Sequence, residues 1–255
     1  MQAHSLILGG TKGLGRAIAK VSIARKIRPI VVGRSAVEAR KDTELADALF
    51  YRADLSDPND ACGVADGLYG SGGLGLGLDR NKLDFVFWVA GRLIRRDFSR
   101  MSIQDARDLM DTNFFGPLFA IQAIHRLMKP FLAKGLPYHL VVIASTSSWR
   151  IRDSEAIYCA SKAAQAHFTR NFARELVRDL PGSKVTLVNP GGIRTELFKD
   201  AGQDVSKFMD PDVVAAIIWN KVLRQRKSFV ELQIMRNEDG TPRVREVARA
   251  PERPL

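Results

Sequence analysis

The sequence predicts an α/β protein in which a single doubly wound parallel sheet carries helices on both faces. Three observations lead there. Short apolar runs alternate along the chain with longer stretches whose apolar residues recur at helical spacing, the pattern of strands joined by crossover helices. A glycine-rich turn separates the first run from the first helical stretch. No internal repeat or linker interrupts the series, and 255 residues, 45% hydrophobic and 26% charged, suit one globular domain with a substantial core. The expected organisation is one domain over residues 1–235, followed by a polar tail, 236–255, whose prolines and charges predict fraying.

Residues 5–8 are the first strand. They enter Gly9-Gly10-Thr11-Lys12-Gly13-Leu14-Gly15, after which Ile18, Ala19, Val21, Ile23 and Ala24 supply the buried face of a helix. Strand, glycine turn and helix are the setting that holds a dinucleotide pyrophosphate. Glycines let the backbone come close, and a helix N-terminus offers N–H donors and the positive end of its dipole. Residues 29–34 read as the second strand. An acid here would accept bonds from a ribose 2′-hydroxyl, whereas Arg34, together with Lys12 in the glycine turn, suits a 2′-phosphate and points to NADP(H).

Residues 50–55 read as the third strand, ending on Asp54-Leu55, where Asp54 could equally cap the helix beginning near Pro58. Residues 70–77 form a glycine-rich loop with no Lys-Ser/Thr behind it, hence no phosphate cradle. The nearly continuous apolar run 83–91 fits a strand buried on both faces. Helical spacing returns over 102–134, with Asn113 inside and Pro117 set to kink or thin the helix. Residues 138–144 are the fifth strand. Ser145 stands at its C-terminal end, the edge at which open α/β sheets bind ligands. A long helix rich in small residues follows over 154–180, then a sixth strand, 185–189, running into Pro190-Gly191-Gly192-Ile193-Arg194-Thr195. Residues 196–209 read as a mobile lid, and 211–226 and 228–235 as the last helix and strand.

The long helix carries Tyr158 and Lys162, which lie four apart and so share one face, one turn from each other. A free tyrosine, with a pKa of about 10, is a poor proton-transfer group at neutral pH. A neighbouring ammonium favours the phenolate and brings that pKa down. Such a pair also occurs on ordinary solvated helix faces. Its company here is Ser145 at a strand end and the glycine turn at Gly9, and this combination resembles the short-chain dehydrogenase/reductase family of the classical type over residues 5–235. The spacing Gly9-x-x-x-Gly13-x-Gly15 is similar to that family's form of the nucleotide turn.

The resemblance implies a Rossmann fold and hydride exchange between NADP(H) and a carbonyl or alcohol. In reduction, Ser145 would donate a hydrogen bond to the carbonyl oxygen and Tyr158 would give the proton. Lys162 would lower the tyrosine pKa and bind ribose hydroxyls, and Asn113 would link Lys162 to solvent through a water. By the same resemblance the nucleotide would lie against Gly9, Thr11, Lys12, Gly13, Leu14 and Gly15, with Arg34 at the 2′-phosphate and Asp54 and Leu55 at the adenine. Ala90 and Gly91, Tyr158 and Lys162, and the loop of Pro190, Gly191, Ile193 and Thr195 would complete the site, Ile193 and Thr195 meeting the carboxamide. One departure stands out: Trp88 and Val89 occupy the places of two usual asparagines, one of which ties this strand end to its neighbours. A rival reading is a non-catalytic NADP-binding sensor or scaffold. The Ser145/Tyr158/Lys162 set argues against it, since a scaffold needs no hydroxyl pair beside a nicotinamide.

The formal net charge of +11 does not indicate nucleic acid, because Lys and Arg are spread along the chain and accompany no recognition motif. The four histidines are scattered, without metal-ligand spacing. Cys62 and Cys159 provide no disulfide framework, which fits a reducing, cytoplasmic setting. No apolar run approaches the ~20 residues of a membrane span, and no signal pattern opens the chain. Arg92, Arg95 and Arg96 follow the fourth strand, and Arg150 and Arg152 follow Ser145. Both loops leave the C-terminal edge of the sheet, so these guanidinium groups either ring the mouth of the site and draw in an anionic substrate, or are solvated loop cations or part of a subunit interface. Ala160, Ala163, Ala164 and Ala166 suit the long helix to a homodimer or homotetramer interface.

Overall fold

The computed structural model describes residues 2–70, 76, 83–128, 137–199 and 201–247. The chain runs β1 (His4–Leu8), α1 (Gly13–Ala24), β2 (Arg28–Val32), α2 (Ala36–Ala39), β3 (Leu49–Tyr51), α3 (Pro58–Tyr69) and β4 (Leu83–Trp88). It continues through α4 (Ile103–Met110), α5 (Gly116–Met128), β5 (His139–Ile143), α6 (Ala156–Asp179), β6 (Lys184–Pro190), α7 (Pro211–Arg224), β7 (Phe229–Arg236) and β8 (Pro242–Glu246). These strands make one eight-stranded sheet of order β3-β2-β1-β4-β5-β6-β7-β8, parallel as far as β7 and antiparallel only between β7 and β8.

The unbroken apolar runs of the sequence follow from burial of both sheet faces. In β1, Leu6 and Leu8 enter one core while Ile7 enters the other. In β5, Leu140 and Val142 alternate with Val141 and Ile143 in the same way. The first core is covered by α3, α5 and α6, and the second by α1 and α7, whose Trp219 donates its indole N–H to the Ile18 carbonyl at 3.1 Å. Strand order reverses between β1 and β4, so the connections leaving their C-terminal ends diverge and open a crevice. The helices that flank it begin at defined caps. Asp57 accepts from the Asn59 and Asp60 amides ahead of α3, and Asp210 caps α7, each followed by a proline. Asp57 therefore takes the capping role that the sequence also offered to Asp54.

The helical region beginning near residue 102 is not continuous. A π-type turn, Asp111–Phe115, separates α4 from α5 directly before Gly116 and Pro117. Pro117 has no N–H for the usual bond to the carbonyl four residues back, and a widened turn accommodates the loss. Residues 129–134 of that expected helix lie outside the described residues, as do 71–75 and 77 of the glycine-rich loop.

Over its described part the expected tail is corrected by β8, while 248–255 lie outside the described residues. Asn237–Thr241 form a turn in which the Asn237 N–H donates to the Thr241 carbonyl at 2.8 Å, with Gly240 at φ +84°. The strand then pairs Met235 with Arg243 and Gln233 with Arg245. Its residues are too polar to announce a strand, because an edge strand is held by ladder hydrogen bonds and not by apolar burial. Asp239-Gly240 was the available hairpin signal. No helix among the described residues is long and apolar enough to cross a membrane.

Candidate active site

The glycine turn after β1 is built on close approach. Gly9 has φ +90°, and a Cβ there would stand 2.6 Å from the Ala90 backbone; one on Gly15 would stand 2.0 Å from the Gly9 carbonyl oxygen. Only glycine allows the turn to fold onto itself and against the end of β4. Lys12 occupies the N-cap of α1, yet no side chain caps the helix and its first turn holds no acid. The first N–H donors are therefore left for an anion, and the turn fits a nucleotide's phosphates. The Leu14 side chain packs into the core, while the residue also lines the cavity that extends from this turn. Lys12 reaches Glu196 at 3.2 Å, both well exposed. Arg34, 69% exposed, lies 3.9 Å from the Asp54 carboxylate. Partial burial pushes the Asp54 carboxyl up, but hydrogen bonds from the Ser56 N–H and hydroxyl outweigh it and hold Asp54 below the usual range.

From this turn a cavity of about 1210 Å³ extends over Ala90 and Gly91 to Ser145, Tyr158 and Lys162, and to the loop from Pro190 to Thr195. Every residue expected from the sequence lines it except Asn113. Ser145, Tyr158 and Lys162 are all buried, and the Ser145 hydroxyl oxygen accepts from the Ser147 N–H at 3.0 Å. Burial lifts the Tyr158 phenol to about 12; a hydrogen bond with Ser145 pulls the other way, and the Glu155 carboxylate adds to the rise. This corrects the expectation of a phenol lowered by lysine. Burial also drives Lys162 down to about 7, so the lysine surrenders much of the charge with which it would have stabilised a phenolate.

Lys162 also has two protein partners beyond those expected. Its ammonium donates to the Gln165 amide oxygen at 2.9 Å and to the Ile143 carbonyl at 3.3 Å. Asn113, fully buried in the π-type turn, donates to the Ser161 hydroxyl at 2.9 Å and the Arg92 carbonyl at 3.0 Å, and accepts from the Arg92 N–H at 2.6 Å. It thus clamps the loop after β4 to α6. Gln165 was missed, although its position three residues after Lys162 places both on one helix face. The strand end left without the usual asparagine is tied by backbone instead: Val89 and Ala90 both donate to the Leu8 carbonyl, at 2.9 and 2.8 Å. Trp88 is buried against Phe114 and Phe168.

The segment expected as a lid closes on itself at its base. Arg194 donates to Met209 at 2.9 Å and Met209 to Gly192 at 3.1 Å. Phe198 meets Phe208 edge-on at 4.9 Å, and Glu196, Phe198 and Phe208 face the cavity from this loop.

The family model described as "short chain dehydrogenase" matches residues 3–206. "Dehydrogenase/reductase SDR family member 7B" of Xenopus tropicalis is 30% identical over 248 residues, covering 88% of this chain and 75% of the relative. The crystal structure of a short-chain dehydrogenase from Streptomyces avermitilis has a TM-score of 0.76 at 25% identity, covering 93% of this chain and 89% of that one. An ElxO variant with NADPH bound shares the fold with a TM-score of 0.74 at 19% identity, covering 91% and 97%. The matched region runs from β1 past the Tyr158/Lys162 helix and into the loop beyond β6, and by that match the chain is an oxidoreductase of the short-chain dehydrogenase/reductase family.

Proposed function

We propose that the chain interconverts a carbonyl and an alcohol with NADP(H) as hydride carrier. One observation carries the reading: a single cavity joins an uncapped glycine turn to a buried hydroxyl, phenol and amine, Ser145, Tyr158 and Lys162. The backbone of Gly9, Thr11, Gly13, Leu14 and Gly15 would hold the pyrophosphate, Lys12 and Arg34 the 2′-phosphate, and Asp54 and Leu55 the adenine. Ala90, Gly91, Pro190, Gly191, Ile193 and Thr195 would hold the nicotinamide half, with Lys162 at the ribose. The NADPH in the ElxO relative supports the choice of nucleotide. When bound, NADPH supplies the hydride.

The chain's own residues manage the proton. A phenol at about 12 is fully protonated at neutral pH, which is the form that donates to a developing alkoxide. The Ser145 hydroxyl oxygen accepts from Ser147 and its proton is shared with the Tyr158 phenol; turned to the substrate oxygen, that proton would stabilise developing charge there. Lys162, at about 7, exchanges protons readily at neutral pH and can return one to the phenol. Asn113 keeps the loop after β4 in place beside them.

Tyr158→Phe tests the reading. It should lower turnover by about 10²–10⁴-fold while leaving NADPH affinity near normal, because the phenol acts on substrate. A Phe variant that keeps most of its turnover would remove Tyr158 as the acid. Arg34→Ala should weaken NADPH by about 10-fold or more and NADH hardly at all, since a guanidinium–phosphate bond exists only with the former. Equal losses for both nucleotides would refute the NADP(H) preference.

A further inference from the structure

The arginines at the mouth of the cavity divide into two groups. Arg92 pairs with Asp108 at 3.0 Å, Arg95 with Glu155 at 3.3 Å, and Arg96 with Asp105. Arg150 has no ion pair among the described residues. It follows the Ser145 turn, its N–H bonded to the Thr146 carbonyl at 3.1 Å, and it lines a second cavity of about 500 Å³ with Gln233, Met235, Arg243, Val244 and Arg245. Arg150 and Met235 also line the main cavity, so the two spaces adjoin.

The register of the β7–β8 ribbon explains the second cavity's chemistry. Gln233 pairs with Arg245 and Met235 with Arg243, so these four side chains project from one face. Arg243 and Arg245, like Arg150, have no ion pair among the described residues. The acids nearest in sequence are engaged elsewhere. Glu231 is buried and bound by Arg170 at 2.8 and 3.1 Å, and Glu246, which alternates to the opposite face, meets Lys227 at 2.7 Å. Three arginines therefore line one cavity that no acidic residue lines. Like charges so arranged repel, and an oxyanion, which accepts from guanidinium forks two bonds at a time, relieves that repulsion.

We propose that this second cavity is a subsite for an anionic group, a carboxylate or phosphate, at the far end of an elongated substrate whose reacting carbon lies at Ser145 and Tyr158. The inference rests on the carbonyl/alcohol reading above and deepens it. Of the expected arginine ring it keeps Arg150, joined by Arg243 and Arg245, because the arginines after β4 already have partners and Arg152 lines only the main cavity. Met235 gives the wall an apolar part, suited to an alkyl or aryl stem leading to the charge.

The experiment measures kcat/KM with NADPH for ω-oxoalkanoic acids of increasing length, their methyl esters, and the matching ω-oxoalkyl phosphates. Once the chain is long enough to reach, an anionic substrate should exceed its ester by about 10-fold or more, as expected of a hydrogen bond to a charged group. Carboxylate against phosphate tells which oxyanion the site takes. Arg243→Ala and Arg245→Ala should each bring the anion-to-ester ratio down toward one, while Arg226→Ala, an exposed cation outside both cavities, should keep it. Added salt should lower the ratio, and inorganic phosphate should inhibit reduction of the acid more than of the ester. A ratio near one at every length overturns the proposal, as do equal losses for acid and ester in the Arg243 and Arg245 variants. Esters turned over without an anionic advantage leave the reductase reading standing and remove only the subsite. No turnover of any carbonyl, together with no effect of Tyr158→Phe, removes the reductase reading and this one with it. Salt-sensitive binding of random oligonucleotides that is lost in the same variants, with no anionic advantage, would mark a polyanion surface and also overturn it.

Discussion

Lys162→Met should change how stability depends on pH in a way that isolates the buried amine. Lys162 is 4% exposed and burial brings it to about 7, whereas an unfolded lysine titrates near about 10.4. Because the folded value is lowered, the unfolded chain binds the proton more tightly throughout the window between the two. Folding carries its full cost below about pH 7, and the cost is relieved as pH rises toward 10.5. Treated as a single site, the burden is about 4 kcal/mol at pH 7 and about 1.4 kcal/mol at pH 9.5, a change of about 3 kcal/mol. Methionine has similar volume and no charge. Its replacement strands the Gln165 amide oxygen and the Ile143 carbonyl, but that loss of about 1–2 kcal/mol each does not vary with pH. Urea unfolding of both proteins at steps from about pH 7 to pH 9.5 gives the difference in stability, in which groups common to both cancel. The variant's stability relative to wild type should fall by about 3 kcal/mol across the range. A difference that stays flat would mean that Lys162 titrates alike folded and unfolded, and would refute its assignment as a desolvated proton carrier.

Two further outcomes follow from geometry. Gly15→Ala places a Cβ 2.0 Å from the Gly9 carbonyl oxygen, so the turn must open; nucleotide binding should be lost by fluorescence titration, and unchanged NADPH affinity would contradict the close-packed turn. Phe115, at the end of the π-type turn and 38% exposed, stacks on Phe119 of α5 across a 6.1 Å centroid distance, and Phe168 on Phe172 of α6 across 5.3 Å, giving this side of the molecule an aromatic surface beside the small residues of α6. A dimer or larger assembly is expected by light scattering at micromolar concentration, with Phe115→Arg shifting it toward monomer. A monomeric wild type would show that these rings serve only the fold.

What the sequence determined on its own is what local rules control. Strands buried on both faces must be continuously apolar, so β1, β4 and β5 could be read directly, and their alternation with helices dictated a parallel sheet. The glycine turn and the Tyr158/Lys162 pair were legible because backbone approach and helical periodicity depend on spacing along the chain. Tertiary structure decided everything that depends on what comes near from elsewhere. Burial, not the neighbouring lysine, sets the Tyr158 phenol, and Gln165 and Ile143 receive the Lys162 donors. Asn113 found Arg92 and Ser161, and acids on α4 and beside α6 took up three of the five arginines expected at the mouth. The polar segment after β7 became a strand because it met an open sheet edge, bringing Arg243 and Arg245 beside Arg150. Periodicity registers which face a residue belongs to. Charge state and pairing depend on desolvation and distance, and those exist only once remote segments have packed.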